Sequence, residues 1–589
     1  MEKKIIKKQL DVAVLFFFLF TPLIVRMIYL DAYVYNYTKR VIFGAAYVFV
    51  NDSLIYTGII FSIFVLLFIK NKAVAAAIKI LILAVLLLLL IDFFTILNFS
   101  FRLVFDDLFK YGSYSFKYIN QLYSWSVSWK KFVINITITL GYLLLVLYFF
   151  ISDFSLRRRS LLPKVVLLFI LFFVGSMFSY SDYSDRYVHS WIYKNIISYN
   201  LSLRSKTKKY SNEFLNNFSF DEDEDCLYEN DKNAFSDNII ILMVESLSNY
   251  QSSFFSGNND WTHNLDKIAS DNIAYRKFYA NGFTTEDGEV SILTGLVPII
   301  QSTSYETVGV ESFEGFFNIK DSLPNILKTY GYHSEFITSA DLSFSDTGKW
   351  ANSIGFDYIE GDQHPYYEKF DRFHFNAAPD KALYERVLDR MKKQQDKYFI
   401  FIKTVTSHTP FINPENKKGS EEETFRYVDR QLGIFYNRLV DRGFFEKGIL
   451  IIVGDHHAMV PLTKKEIDYY GSLRAAATVP MIIATGDEAR IENNHYQQID
   501  IFNSLKGALV GEKCTSNWRG DFFKKKPANY IIHKRGDNRN LVSIFSDDEP
   551  YVFLMNGDDS RITTDAPVDK EKRELIERKI NSIRILPKQ

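Results

Sequence analysis

The sequence predicts a two-part chain: an α-helical membrane region of about five crossings, followed by an α/β domain outside the bilayer. Three observations carry this. Apolar stretches of bilayer-spanning length crowd residues 1–181. Charge divides unevenly: residues 1–180 hold 19 basic and 8 acidic side chains, leaving 50 basic and 61 acidic, of 69 each, for the rest. From about residue 236, short apolar runs alternate with amphipathic helical stretches, the pattern of strands interleaved with helices. At 589 residues, the chain also exceeds one compact domain. The expected divisions are a transmembrane domain at 1–182, a juxtamembrane amphipathic helix and acidic linker at 183–235, the α/β domain at 236–540, and a C-terminal tail packed on it at 541–589.

Five stretches are long and apolar enough to cross, approximately 11–30, 53–69, 74–98, 132–151 and 162–181. The first is not a cleavable leader, because no small-x-small cleavage site follows it and further spans come after. Basic residues orient the set. Lys3, Lys4, Lys7 and Lys8 precede the first span, Lys70 and Lys72 separate the second and third, and Arg157, Arg158, Arg159 and Lys164 separate the fourth and fifth. If every stretch crosses, these clusters share one face, which the positive-inside rule makes cytoplasmic; the long C-terminal part then lies outside. The loop at 99–131, with Phe101, Trp125 and Trp129, reads as an interfacial aromatic belt or as an element presenting lipid to the outer domain. Asp92 lies within the third span, where a charge is either functional or paired, and Arg26 of the first span is an available partner. Tyr187–Leu203 has the pattern of a helix lying on the membrane surface. The acidic run Asp221–Asp225 lacks the glycine and ligand spacing of a calcium loop and reads as a solvated linker.

A basic front and an acidic back exclude a nucleic-acid binder, whose positive charge would sit on the soluble part. Cys226 and Cys514 are the two cysteines, so no CxxC zinc site or redox motif exists. Both fall on the outer side, where an oxidising compartment permits one disulfide between them.

Three runs of the second half read as buried parallel strands, and each ends at residues that can carry chemistry. Asn238–Val244 ends at Glu245, Tyr398–Val405 at Thr406-Ser407-His408, and Gly448–Val453 at Gly454-Asp455-His456-His457. Ligands of open α/β sheets bind beyond the carboxyl ends of the strands, so such a sheet would gather Glu245, His408, Asp455 and His456 around one crevice. Singly, each residue has a plain reading as a helix cap, a surface charge or a turn. Together, two carboxylates and an imidazole suit a divalent transition metal such as Mn2+ or Zn2+. The segment Asn281–Glu289 can add a hydroxyl ligand ahead of a helix expected from Val290, close to free N–H groups and the positive end of the helix dipole, which favours phosphate. Threonine is a weak nucleophile until metal coordination stabilises its deprotonated form; the plain alternative is an N-cap threonine.

The glutamate-ended strand, the Thr-x-Asp-x-Glu at 285–289, the Thr-Ser-His-Thr-Pro-Phe at 406–411 and the Gly-Asp-His at 454–456 resemble lipoteichoic acid synthases. They are also similar to the related phosphoethanolamine transferases, within the alkaline phosphatase–sulfatase superfamily. Val479–Ile483 and Gln498–Leu505 resemble the strand and helix that close that fold, so the likeness runs in order over nearly the whole chain. The resemblance implies a sulfatase-like α/β domain in which Glu245, Thr285, Asp455 and His456 ligate one divalent metal, Mn2+ ahead of Zn2+ or Mg2+. It makes Thr285 the nucleophile rather than Thr284, because the motif begins at Thr285. His408 would contact the substrate phosphate or protonate the leaving group, and His457 would be a second substrate contact. One stretch departs from the family. The synthases hold glycerol phosphate with the Trp and Arg of a Phe-Trp-Asn-Arg segment, where this chain has Phe344-Ser-Asp-Thr347; Trp350 is nearby but out of register.

The implied function is transfer of a phosphoglycerol-type head group from a membrane phospholipid to an envelope glycan or lipid acceptor, through a phosphothreonine-linked intermediate, outside a bacterial cytoplasmic membrane. A phosphoethanolamine transferase acting on lipid A or a glycan shares these residues, although such relatives usually carry several disulfides. A sulfatase needs a Cys or Ser within Cys/Ser-x-Pro-x-Arg, which residues 283–289 lack. A phosphodiesterase releasing its product to water and a non-catalytic scaffold complete the alternatives.

Overall fold

The computed structural model describes residues 15, 17–30, 44–99, parts of 137–148, 158–178, 190–204, 209–220, 225–228, 236–299, 313, 315–393, 397–486, 489–536, 540–547, 550–563 and 568–585. The aromatic loop with Phe101, Trp125 and Trp129, most of the acidic run at 221–225, residues 11–14 and 16 of the first expected span, and half of the span expected at 132–151 lie outside these residues. The chain separates into two compact units, one of residues 1–104, 127–204 and 461–464, the other of 105–126, 205–460 and 465–589.

In the first unit, Ala45–Leu66 and Lys72–Ile96 are long and apolar enough to cross a membrane, and shorter apolar helices run over Phe17–Leu30 and Leu161–Met177. The helix expected from residue 53 begins instead at Gly44. Asn51, Asp52 and Ser53 interrupt the apolar run in sequence, yet all three are accommodated within the helix. Asn51 and Ser53 return hydrogen bonds to the carbonyls of Tyr47 (2.8 Å) and Phe49 (2.7 Å), one turn back. Asp52 accepts from Arg26 Nε at 3.0 Å. Arg26 Nη1 also donates to Asp92 at 3.1 Å and Nη2 to the Lys194 carbonyl at 3.0 Å, and the three charged side chains are fully buried. Asp92 is therefore one arm of an ion-paired knot joining three helices, the arrangement that makes charges tolerable in apolar surroundings. The helix expected over 187–203 is two pieces, Ser190–Tyr193 and Ile196–Arg204. Asn195 sits between them: its side chain accepts from Ser198 N at 2.7 Å and donates to the Asn51 carbonyl at 2.7 Å.

The second unit contains β1 (Asp225–Tyr228), β2 (Asn238–Val244), β3 (Ile273–Tyr279), β4 (His333–Thr338), β5 (Tyr358–Glu360), β6 (Tyr398–Lys403), β7 (Gly448–Gly454), β8 (Met481–Ala484), β9 (Arg490–Gln497), β10 (Glu512–Thr515), β11 (Ile531–Lys534), β12 (Leu541–Phe545), β13 (Tyr551–Leu554) and β14 (Arg561–Ile562). Eight of them form one sheet in the order β5-β4-β6-β2-β7-β8-β3-β9. β2 lies between β6 and β7 and is parallel to both, as the apolar runs predict. β8 runs antiparallel to its neighbours β7 and β3. β2 and β7 are apolar without alternation because helices cover both faces of the sheet. Ile239, Ile241 and Met243 share a core with Ile292 of helix Thr285–Thr294 and with Ile501 and Leu505 of helix Ile499–Val510. The intervening Ile240, Leu242 and Val244, equally buried, face the opposite layer.

β11 to β14 make a separate antiparallel sheet. Helix Lys570–Ile585 lays Ile576 and Ile580 against its Val542, Ile544 and Phe553, which gives the C-terminal tail a core of its own. β1 and β10 pair antiparallel with Cys226 directly opposite Cys514.

Candidate active site

The three central strands end side by side. Val244 pairs with Gly454 and Met243 with Lys403, so the residues just beyond β2, β6 and β7 are neighbours by construction. Hydrogen bonds then tie the strand ends together. Thr404 Oγ1 accepts from Glu245 N at 3.0 Å, and Ser407 Oγ donates to the Glu245 carbonyl at 2.6 Å. Asp455 Oδ1 accepts from the amides of Ser246 and His456, each at 2.7 Å.

The helix expected from Val290 starts five residues earlier, at Thr285, because Thr284 caps it by accepting from Asp287 N at 3.2 Å. Capping by Thr284 leaves the hydroxyl of Thr285 available, in the first turn, where amide groups and the helix dipole point outward. Thr285 Oγ1 donates to Glu245 Oε2 at 3.1 Å and lies 3.5 Å from His456 Nε2. His456 Nδ1 meets the His457 carbonyl at 2.8 Å, so Nδ1 carries the proton and the Nε2 lone pair faces Glu245 and Asp455. Candidate ligand atoms of Glu245, Asp455 and His456 lie within 4.8 Å of one another, and all three residues are buried.

This donor set fits a divalent cation. Asp455 Oδ2 is buried without a hydrogen-bond partner among the described residues. Burial and the adjacent Glu245 carboxylate push Asp455 well above the usual carboxylate range. Burial also pushes Glu245 upward, but His408, His456 and Ser246 outweigh it and hold Glu245 below its ordinary value. Two carboxylates sharing one buried site repel unless positive charge lies between them.

His408 belongs to the same site, close enough to lower the Glu245 pKa. Its Nδ1 meets the Thr409 carbonyl at 2.6 Å, and it is half-buried, which leaves Nε2 for another partner. His457 does not serve as expected. Its nitrogens meet Glu466 Oε1 and the Ala458 carbonyl, both at 2.8 Å, so neither is left for a substrate. Trp350 is also unavailable: it is fully buried, stacked on Phe313 at 4.0 Å, and donates to the Phe316 carbonyl at 3.0 Å. Sequence reasoning missed Lys403, whose Nζ lies 3.2 Å from Glu289 behind Glu245. Burial pushes Glu289 up to about 7, although Lys403 opposes this. A lysine ending an otherwise apolar central strand was the available signal.

A family model described as Sulfatase matches residues 237–511. Lipoteichoic acid synthase 1 of Bacillus subtilis is 22% identical over 51% of this chain, and the match spans 50% of that relative's own length. The lipoteichoic acid synthase of Staphylococcus saprophyticus is 24% identical, covering 73% of this chain and 72% of its own. Among solved structures, the lipoteichoic acid synthase of Listeria monocytogenes aligns at a TM-score of 0.48 and 19% identity, covering 62% of this chain and 94% of that one. Residues 237–511 thus match the sulfatase family, and the chain is similar to lipoteichoic acid synthases over about three quarters of its length.

Proposed function

We propose that this protein transfers a phosphoglycerol-type head group from a membrane phospholipid to an envelope glycan or lipid, with Thr285 as nucleophile. The supporting observation is the meeting of Thr285 Oγ1 with Glu245 at 3.1 Å and His456 at 3.5 Å, beside the buried Asp455. A bound divalent ion, Mn2+ in this reading, would be held by Glu245, Thr285, Asp455 and His456, and would supply positive charge to stabilise the threonine oxyanion and the phosphoryl oxygens. The first-turn amides of helix Thr285–Thr294 orient the phosphate. As the alkoxide, its hydroxyl proton given up to solvent beforehand, Thr285 Oγ1 attacks phosphorus in line; diacylglycerol leaves, its oxygen taking a proton from His408 Nε2, and the head group stays esterified to Thr285. An acceptor hydroxyl then gives its proton back to His408 and attacks the same phosphorus, releasing Thr285. The membrane region is read as five crossings with its basic loops cytoplasmic, which sets this domain outside a bacterial cytoplasmic membrane.

The test is release of diacylglycerol from vesicles containing phosphatidylglycerol by the purified full-length protein, together with the mass of any adduct on the Thr285 peptide. Thr285→Ala is expected to abolish release while the protein remains folded and inserted. Undiminished turnover in that variant would refute the assignment.

A further inference from the structure

Two loops meet beside His408, one following β4 and one following β5. The first carries Phe344 and Ser345, the second His374 and Phe375. The rings of Phe344 and Phe375 lie 4.4 Å apart, Asp341 N donates to the Phe375 carbonyl at 2.8 Å, and the edge of Phe375 meets the His408 ring at 4.8 Å. His374 lies next to His408, with ring centroids 5.6 Å apart.

Both loops bury polar groups without satisfying them. Ser345 is 4% exposed and His374 is 3% exposed. Ser345 Oγ, His374 Nδ1 and His374 Nε2 have no hydrogen-bond partner among the described residues. Buried donors and acceptors are normally paired, so three orphaned atoms on two adjoining loops, those of His374 next to His408, point to a ligand that pairs them. The backbone agrees: Ser345 and Asp346 on one loop, and Phe375 and Asn376 on the other, hold φ of 53°, 56°, 51° and 57°. Strain of this kind in non-glycine residues is retained at ligand clamps.

We infer that Ser345 and His374 form the head-group recess of this enzyme and select an uncharged polyol on the donor phosphate, in the position left without the family's Trp and Arg. This rests on the phosphoglycerol reading above and names the residues that choose the head group. A hydroxyl group donates and accepts, as do a serine and a neutral imidazole, so adjacent hydroxyls of a glycerol can satisfy all three atoms. Burial, together with the neighbouring His408, lowers His374 to about 3 and keeps it neutral. An ammonium group donates only, and nearby carboxylates of these loops are engaged: Asp341 accepts from Ser343, Asp362 from Asn376, and Asp346 from Lys349. Asp380 keeps one oxygen without a partner behind the loop after β6, the other accepting from the Val405 and Thr406 amides.

Calorimetry on the full-length protein in phosphatidylcholine nanodiscs with Mn2+ separates the possibilities, using glycerol phosphate, phosphoethanolamine and methyl phosphate as probes. Glycerol phosphate is expected to bind tightest. Ser345→Ala and His374→Gln should each weaken it by about tenfold while leaving methyl phosphate, which shares only the phosphate, unchanged. Ser345→Ala removes one oxygen and serves if the histidine variant fails to fold. Equal binding of glycerol phosphate to the wild type and Ser345→Ala overturns the inference, as does a preference for phosphoethanolamine, which would point to Asp380. If the wild type binds none of the three, the phosphoglycerol reading itself fails and this inference with it; methyl phosphate bound without discrimination sinks the recess alone.

Discussion

Gly288 is the residue at which helix Thr285–Thr294 touches the end of β7, and replacing it with alanine sets two known effects against each other. A Cβ at this position would lie 2.8 Å from the Asp455 carbonyl oxygen and 3.3 Å from Asp455 Cα, where ordinary contact begins at 3.4 Å. Those are backbone atoms. They are held by Gln498 Nε2 donating to the Asp455 carbonyl at 2.7 Å and by Asp455 N donating to the Val244 carbonyl at 3.3 Å, so no side-chain rotation relieves the contact. Relief requires the helix and the strand end to separate by about 0.6 Å. Alanine favours a helix interior over glycine by about 1 kcal/mol. Overpacking of a close-packed interior costs about 1–3 kcal/mol, so Gly288→Ala is expected to be neutral to about 2 kcal/mol destabilising. The effect on turnover is the sharper one. The separation moves Thr285 away from Asp455 and His456, and misplacements of about 1 Å in a reacting group cost on the order of a hundredfold, so turnover should fall by about tenfold or more. The assay is diacylglycerol release from phosphatidylglycerol vesicles, paired with thermal unfolding of the same preparation. Wild-type turnover with a raised Tm would show that helix propensity decides and that the contact is slack, contrary to this reasoning.

The same geometry sets further outcomes. Mn2+ at about a hundredfold its Kd should stabilise the protein by about 2.7 kcal/mol in thermal unfolding, with chelator reversing the shift and Glu245→Ala abolishing it; no shift in the wild type would count against the cation site. Arg386 clasps Glu360 through bonds of 2.8 and 2.7 Å, with side chains 6% and 1% exposed. Burial pushes the Glu360 carboxyl upward, but the bonds from Arg386 and Tyr358 outweigh it and hold it below its ordinary 4.5. The stability it adds is therefore complete above that ordinary value and disappears as pH falls through the depressed one. Arg386→Met should cost about 3–5 kcal/mol at neutral pH by stranding the carboxylate, and a urea midpoint with the wild type's dependence on acid would contradict this. The register that sets Cys226 opposite Cys514 predicts that a non-reducing digest yields the two peptides linked; free thiols on both, in protein isolated without reductant, would reject it.

Much of the candidate site was legible because its residues sit at the ends of local patterns. Glu245, His408, Asp455 and His456 each come just after an apolar run, and a parallel sheet brings such ends together whatever the intervening hundreds of residues do. Other residues were not legible, since their surroundings come from distant segments. His457 resembled a site residue by adjacency alone, but Glu466 turns its ring away. Trp350 lies near the missing aromatic group in sequence but out of register, and Phe313 and the Phe316 carbonyl hold it in the core. The start of the helix at Gly44 was hidden because Asp52 reads as a break until Arg26 is seen beside it.

The sequence by itself determined the alternation of strand and helix, the placement of a carboxylate or imidazole at three strand ends, and the threonine motif ahead of a helix. These depend on periodicity and on neighbours a few residues apart. The tertiary structure supplied the physical ground for Thr285 over Thr284, since Thr284 is committed to a cap while Thr285 Oγ1 reaches Glu245. It also brought His374 to the side of His408 and packed the loop of Ser345 against the loop of His374, although the two loops share no motif. The physical reason is that a side chain's availability depends on what occupies its donors and acceptors, and those occupants arrive through packing from positions that local sequence does not specify.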